Sequence, residues 1–296
     1  MSLPRIAAIV GHADETELLE RCIAHHARLG VAAFFVSADA DSLRSPHELD
    51  RLGAREDVRL AYRRRGPAGY DVFGSALQAT VDWARPDWVV LLDSDELCMA
   101  AHGDLRTIAA LASADIVQLP RYNVPPIRSG DGTLGNADLT HAAEARFVRK
   151  AHRRVPEDFA ERMSPPWIMS QVAPRVIFRP HSAGRVRVGG HDVGEPGRDA
   201  VRAVAADACV LHFPFTTFDR FCRKMEHVAR AVDEVGALFQ PHEGLHWRRW
   251  AALARRGELR AEFEDQVLDE ERAAALVREG ALATAAELFG TVQPGL

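Results

Sequence analysis

Residues 88–98 read WVVLLDSDELC: five apolar residues run directly into Asp93, Asp95 and Glu96. A continuous apolar run bounded by turn-forming residues is the pattern of a strand buried on both faces, as in a parallel sheet. Three carboxylates within four positions repel one another and lose hydration when buried. Solvent, a cationic side chain or a metal ion must offset that cost. Open α/β sheets bind ligands at the carboxyl ends of their strands, and Asp93 stands where this strand should end. Hard oxygen ligands suit Mg²⁺ or Mn²⁺, ions that keep several waters and hold phosphates, so an Asp-x-Asp at a strand end suits a metal–diphosphate. A solvated acidic turn is the plain alternative.

Working outward, RIAAIV (5–10), VAAFFVS (31–37) and VRLAY (58–62) are predicted strands, and DIVQLPR (115–121) a fifth. Between the first two, Leu18, Leu19, Cys22, Ile23, His26 and Leu29 mark one helical face. Asp14 and Glu17 have capping-box spacing before it, and Gly30 ends it. Residues 69–84 form a further predicted helix. This alternation predicts an α/β fold with a mostly parallel central sheet and flanking helices. Residues 123–140 dissolve into Pro, Gly, Asn and Asp, a loop. The segments beyond it are short until Phe218, after which the chain reads as helical almost to its end. The expected division is an α/β half over 1–125 and an irregular, then helical, half over 126–296 sharing the same core.

With 296 residues, 47% hydrophobic and 27% charged, the composition is that of an ordinary soluble globular protein. A net charge of −5 gives no reason to expect nucleic acid, which would favour a basic face. Cys22, Cys98, Cys209 and Cys222 are widely spaced without a Cys-x-x-Cys pair, so buried free thiols are expected rather than disulfides or zinc. No run approaches the roughly 20 apolar residues of a membrane span, and the N-terminal run is too short for a signal peptide. A cytoplasmic protein is expected, with peripheral membrane contact left open.

The segment LHFPFTTFDRFCRKM (211–225) ends a strand-like run in His212 and enters a helix carrying Arg220, Arg223 and Lys224. A histidine near the acids could complete a metal shell, and a cation could neutralise a departing phosphate. A hydrogen-bonded structural histidine is the alternative for His212.

Taken in order, the acidic loop and helix ending in HHARLGV, then WVVLLDSDEL, PRVIFRPHSAGRVRVGGHDV and LHFPFTTFDRFCRKM resemble bacterial family 2-like glycosyltransferases of the GT-A fold. These are relatives of the family formerly called domain of unknown function 23, and the likeness covers about residues 5–228. The resemblance implies transfer of a sugar from a nucleotide-sugar donor to a glycan, a lipid-linked or another hydroxyl acceptor, with Mn²⁺ or Mg²⁺ on the donor diphosphate. It places Asp93 and Asp95 on the metal motif and Glu96 on the acid that follows. His191 and His212 match the family's two histidines, candidates for the metal shell. Lys224 falls on a closing lysine suited to phosphate contact. His12, Asp14, Glu15, Asp39 and Asp41 fall where nucleotide base and ribose are held. The chain departs from the family pattern at Asp14-Glu15, Leu97, Phe213 and Thr216-Thr217. An inverting transfer also needs a carboxylate base; Glu157, Asp158 and Asp192 are the candidates, although Pro-Glu-Asp equally suits a helix start.

Three rival readings remain. His242-Glu243-Gly244-Leu245-His246 matches a zinc-protease motif, but Pro241 and Gly244 oppose the helix that motif requires. A haloacid-dehalogenase-like phosphatase would use Asp93 as nucleophile, and release of phosphate from a simple ester would reveal it. A non-catalytic nucleotide- or carbohydrate-binding protein on the same scaffold would bind donor without turnover. Arg63-Arg64-Arg65 and the cluster Arg149, Lys150, Arg153 and Arg154 could meet phosphate or line solvated faces. Trp247 and Trp250 could stack on a sugar or pack a core.

Overall fold

Buried apolar runs become the strands of one central sheet in the computed structural model. It describes residues 2–12, 16–39, 46–63, 73–136, 141–159, 163–194, 200–236 and 244–290. The chain divides into two compact units. The first comprises Met1–Arg121, Ala173–Leu211 and Phe289–Leu296, and the second Tyr122–Val172 and His212–Leu288.

In the first unit, β1 (Ile6–His12), β2 (Val31–Asp39), β3 (Val58–Arg63) and β4 (Trp88–Asp93) alternate with α1 (Thr16–Arg28), α2 (Pro46–Gly53) and α3 (Gly74–Ala84). Gly30, at φ +87°, closes α1 as expected of a left-handed terminator. After a two-residue turn comes β5 (Glu96–Ala100), then β6 (Ile116–Leu119), β7 (Arg175–Phe178), β8 (Arg202–Val204) and β9 (Ala208–His212). The seven-stranded sheet has the order β8-β6-β7-β4-β1-β2-β3, while β5 and β9 belong to a small separate sheet. Strands β4, β1, β2 and β3 run parallel, and so do β8 and β6. Only β7 is antiparallel to its neighbours β4 and β6.

The α/β expectation with a mostly parallel sheet and flanking helices therefore holds. Two strands from beyond residue 170 complete that sheet, which the sequence reading treated as part of the irregular half. The run Glu96–Ala100, which opens on a carboxylate, is a strand beyond those expected from the sequence. One face of the sheet packs Ile9, Phe35, Val89, Leu91, Ile116, Val176 and Phe178 with Phe73 and Ala76. Connections β1 to β3 advance to one side of β1, and β4 joins on the other. The carboxyl ends of β1 and β4 are thus a topological switch point, where such sheets leave a crevice.

The second unit is helical at its C-terminal end: α4 (Phe218–Val235), α5 (Leu245–Arg256), α6 (Leu259–Gln266) and α7 (Glu270–Arg278). Thr217 caps α4 by accepting the Arg220 N–H through its side chain. Phe215, Phe221, Trp250 and Phe263 form the aromatic centre of its core, joined by Met163, Ile168, Met225 and Leu276. Trp250 is core, as its alternative reading held, with its indole N–H donating to Glu262 at 2.9 Å. Residues 127–128 and 134–135 pair as a small hairpin inside the segment read as a loop. Among the described residues no helix is long and apolar enough to cross a membrane.

Phe221 is fully buried between Phe215 and Phe263, at ring-centroid distances of 5.0 and 5.5 Å. Phe221→Ala should cost about 3–5 kcal/mol, read from chemical denaturation followed by tryptophan fluorescence.

Candidate functional site

The switch point is built from the last residues of two strands. Gly11 of β1 lies opposite Asp93 of β4, and the Ser94 N–H donates to the Gly11 carbonyl at 3.1 Å. These pairings turn the chain after Asp93 and send it back as β5. His12 and Asp39, the terminal residues of β1 and β2, are both almost fully buried. Asp14, Glu15 and Asp41 lie outside the described residues.

The three acids have different fates. The Asp93 side chain keeps 44% of its surface exposed, whereas Asp95 retains only 4%. Glu96 is wholly buried. Its Oε1 accepts from Arg121 Nη1 at 2.5 Å. Its Oε2 accepts from Arg175 Nε at 2.6 Å and from the Asp93 N–H at 2.9 Å. Arg175, itself fully buried, also donates through Nη2 to Asp93 and through Nη1 to the Gly189 carbonyl at 2.5 Å. Charge-assisted bonds of this kind offset the desolvation of both partners.

The opening puzzle is thus answered in the first instance by arginine. Two buried guanidiniums, those of Arg121 and Arg175, meet Glu96 and Asp93 there. Desolvation and the neighbouring Glu96 and Asp95 charges raise the Asp93 carboxyl to about 6, against the pull of Arg175. With nearly half its side chain in water and a guanidinium in contact, we take Asp93 as ionised at neutral pH. Burial disfavours the charge on Arg175, but Asp93 and Glu96 outweigh it and hold the guanidinium protonated.

The strand after the turn is gripped by two histidines of α1. His26 Nε2 accepts the Cys98 N–H at 3.0 Å while its Nδ1 donates to the Cys22 carbonyl at 2.7 Å. His25 Nε2 donates to the Cys98 carbonyl at 2.7 Å. Both hydrogen bonds of His26 require the neutral ring, and burial lowers its pKa to about 3. Cys22, Cys98 and Cys209 are buried free thiols, as expected, and burial pushes each of them up.

The other sequence candidates lie as follows. His191 is half-buried at the end of the turn Val188–Gly190. Next to it, Asp192 accepts from the Val193 N–H at 2.8 Å and from Arg202 at 2.9 Å. In the second unit, Asp158 accepts the Val155 N–H at 2.9 Å in a 3₁₀ turn and lies 3.6 Å from His152. Glu157 belongs to the same turn, and its side chain is outside the described set. Lys224 is half-buried on α4.

His212 is buried, with Nδ1 2.8 Å from Asn123 Oδ1. The Asn123 amide is oriented by donating to the carbonyls of Ile168 and Ser170, at 3.1 and 3.4 Å. That orientation assigns the proton to Nδ1 and makes Nε2 the acceptor nitrogen of the ring. Gly244 adopts a left-handed conformation at the start of α5, so the protease-like motif does not lie within one helix.

Sequence reasoning missed Arg175, Arg121 and Asn123. The available signal was an arginine heading the apolar run RVIF, a charge entering a strand that needed a partner.

Among the described residues no three His, Cys, Asp or Glu side chains converge to form a metal cage. A divalent ion that arrives with a diphosphate needs only one or two carboxylates and keeps its waters. Asp93, with 44% of its side chain exposed, fits that requirement.

No protein-family profile matches the chain, and no curated protein matches it. Several solved structures superpose weakly. TarS of S. aureus aligns at 10% identity and a TM-score of 0.38, over 88% of this chain and 72% of that one. A mannosyltransferase of Pyrobaculum calidifontis, solved with GDP-Man and Mn²⁺, aligns at 17% identity and 0.40, over 97% and 79%. Rv0371C of Mycobacterium tuberculosis H37Rv, solved with manganese, aligns at 15% and 0.33, over 75% and 98%. At these scores the likenesses assign neither family nor activity.

Glu96→Gln removes the shared counter-charge of two buried arginines and should destabilise the fold by about 3–5 kcal/mol, measured by urea denaturation. The pKa of His26 is lower folded than unfolded, so its contribution is fully present above about 6.5 and is lost as pH falls toward about 3. In that window wild type should lose up to ~1.4 kcal/mol per pH unit more than His26→Gln, read from paired denaturation curves.

Proposed function

We propose that this protein is a metal-dependent glycosyltransferase that takes a nucleotide-sugar donor. The observation that carries the reading is the position of Asp93 and Asp95 at the switch point of the sheet, with 44% of the Asp93 side chain exposed. Ligands of such sheets bind there. A diphosphate meets carboxylates at such a turn through a divalent cation that neutralises both. The sugar itself rests on the sequence resemblance, through the order WVVLLDSDEL, PRVIFRPHSAGRVRVGGHDV, LHFPFTTFDRFCRKM.

In this reading Asp93 and Asp95 hold a Mn²⁺ or Mg²⁺ that, when bound, stabilises charge developing on the leaving diphosphate. Asp93 would offer it a part-exposed carboxylate, and Asp95 a second one two residues on. The protein's part is to hold both carboxylates still before the donor arrives. The ladder between β1 and β4 fixes Asp93, and the Glu96 carboxylate anchors the Asp93 N–H. Because those groups are placed in advance, little reorganisation is left for the moment of transfer. His12 and Asp39 close the neighbouring strand ends and shape the donor side of the crevice. Asp192, paired with Arg202, is the base candidate that the first unit supplies.

Calorimetric titration of UDP and of GDP, with and without Mn²⁺, tests the proposal. Wild type should bind one of them only when Mn²⁺ is present. Asp93→Asn and Asp95→Asn should each weaken that binding by about tenfold or more, as expected for loss of a charge-assisted ligand, while circular dichroism stays unchanged. Equal binding by wild type and both variants would overturn the assignment.

A further inference from the structure

A cation that the acidic motif does not contain holds three segments of the first unit together. Arg175 heads β7, the one antiparallel strand of the large sheet, wedged beside β4. Its guanidinium is fully buried and spends three nitrogens on three different segments. Nε holds Glu96 of β5, Nη2 holds Asp93 at the end of β4, and Nη1 holds the carbonyl of Gly189.

The third contact reaches beyond the acids. Gly189 lies in the turn Val188–Gly190, immediately before His191 and Asp192. This turn is built for close approach: Gly189 and Gly190 have φ of +80° and +66°. A Cβ at Gly190 would overlap the ring of Phe73, and that ring lies 5.8 Å from the Arg175 guanidinium. Phe73 and Arg175 thus form the two sides of a seat for this glycine turn. Arg121, by comparison, grips Glu96 alone among these groups.

We infer that Arg175 is a positioning residue that ties the turn carrying His191 and Asp192 to the acidic turn, so that both respond to the donor diphosphate as one rigid piece. The inference rests on the metal–diphosphate reading for its link to function, but not for the tether itself. A flat guanidinium presents its donors in a fixed fork, which a lysine ammonium cannot reproduce across three acceptors. Arg175→Lys therefore keeps the buried charge and removes the geometry. Losing a group that orients the ligands of an ion typically weakens binding by about 10–100-fold.

Two measurements on the full chain separate tether from donor site. Hydrogen exchange of the unliganded protein should show residues 187–193 exchanging faster in Arg175→Lys than in wild type. Arg121→Lys, which keeps a cation near Glu96 and leaves both other contacts untouched, should not differ there. Mn²⁺-dependent binding of UDP or GDP should fall by about tenfold or more in Arg175→Lys and by less in Arg121→Lys. Should Arg175→Lys fail to fold, the charge-balanced pair Arg175→Gln with Glu96→Gln takes its place in both measurements. Unchanged exchange over 187–193, or equal loss of binding in both single variants, overturns the inference. If wild type binds neither nucleotide with Mn²⁺, the metal–diphosphate reading fails, and the exchange comparison still decides whether the tether exists.

Discussion

The buried ion cluster of Glu96 with Arg175 and Arg121 is the constraint on which the acidic end of the sheet depends. A carboxylate with no solvent exposure would be prohibitive alone, and so would a fully buried guanidinium. Together they convert a repulsive acidic run into a fixed turn. Glu96 serves as the hub: it binds two arginines and the backbone N–H of Asp93. Asp93 is held at the tip of β4 with much of its surface free for a ligand, while Glu96 is turned inward.

The histidine pair of α1 works in the same direction from the other side. His25 and His26 between them satisfy both backbone groups of Cys98, one by donating and one by accepting. A helix and the strand after the acidic turn are thus pinned by neutral rings inside the core. Strand ends at a switch point have no ladder of their own beyond the last pair. Their order must come from side chains, and here it comes from two arginines and two histidines. The turn is therefore rigid for reasons that the sheet alone does not supply.

Particular residues show how far the sequence carried this picture. Strands β1 to β4 were legible because parallel strands buried on both faces read as unbroken apolar runs, and α1 because its apolar residues keep helical spacing up to Gly30. The acids after VVLL were legible as standing at a strand end for the same reason, since a run that long has to end at the rim of the sheet. What could not be read was which acid turns inward, because all three follow the strand within four residues. The place of β7 was equally hidden: RVIF is four residues long, and nothing local says that it lies antiparallel against β4. Arg175 is 82 residues from Asp93, so the partnership exists only once the sheet order is known. Asn123 is hidden likewise, since its partner His212 lies 89 residues along the chain.

The late arrival of β7 has a consequence for how the chain comes off the ribosome. When Asp93, Asp95 and Glu96 emerge, Arg121 follows within 25 residues of Glu96, but Arg175 is still unmade. During that interval β4 lacks its neighbour β7, and Glu96 and Asp93 lack the Arg175 guanidinium. Synthesis from the N-terminus therefore postpones completion of this sheet until β7 and β8 have been made.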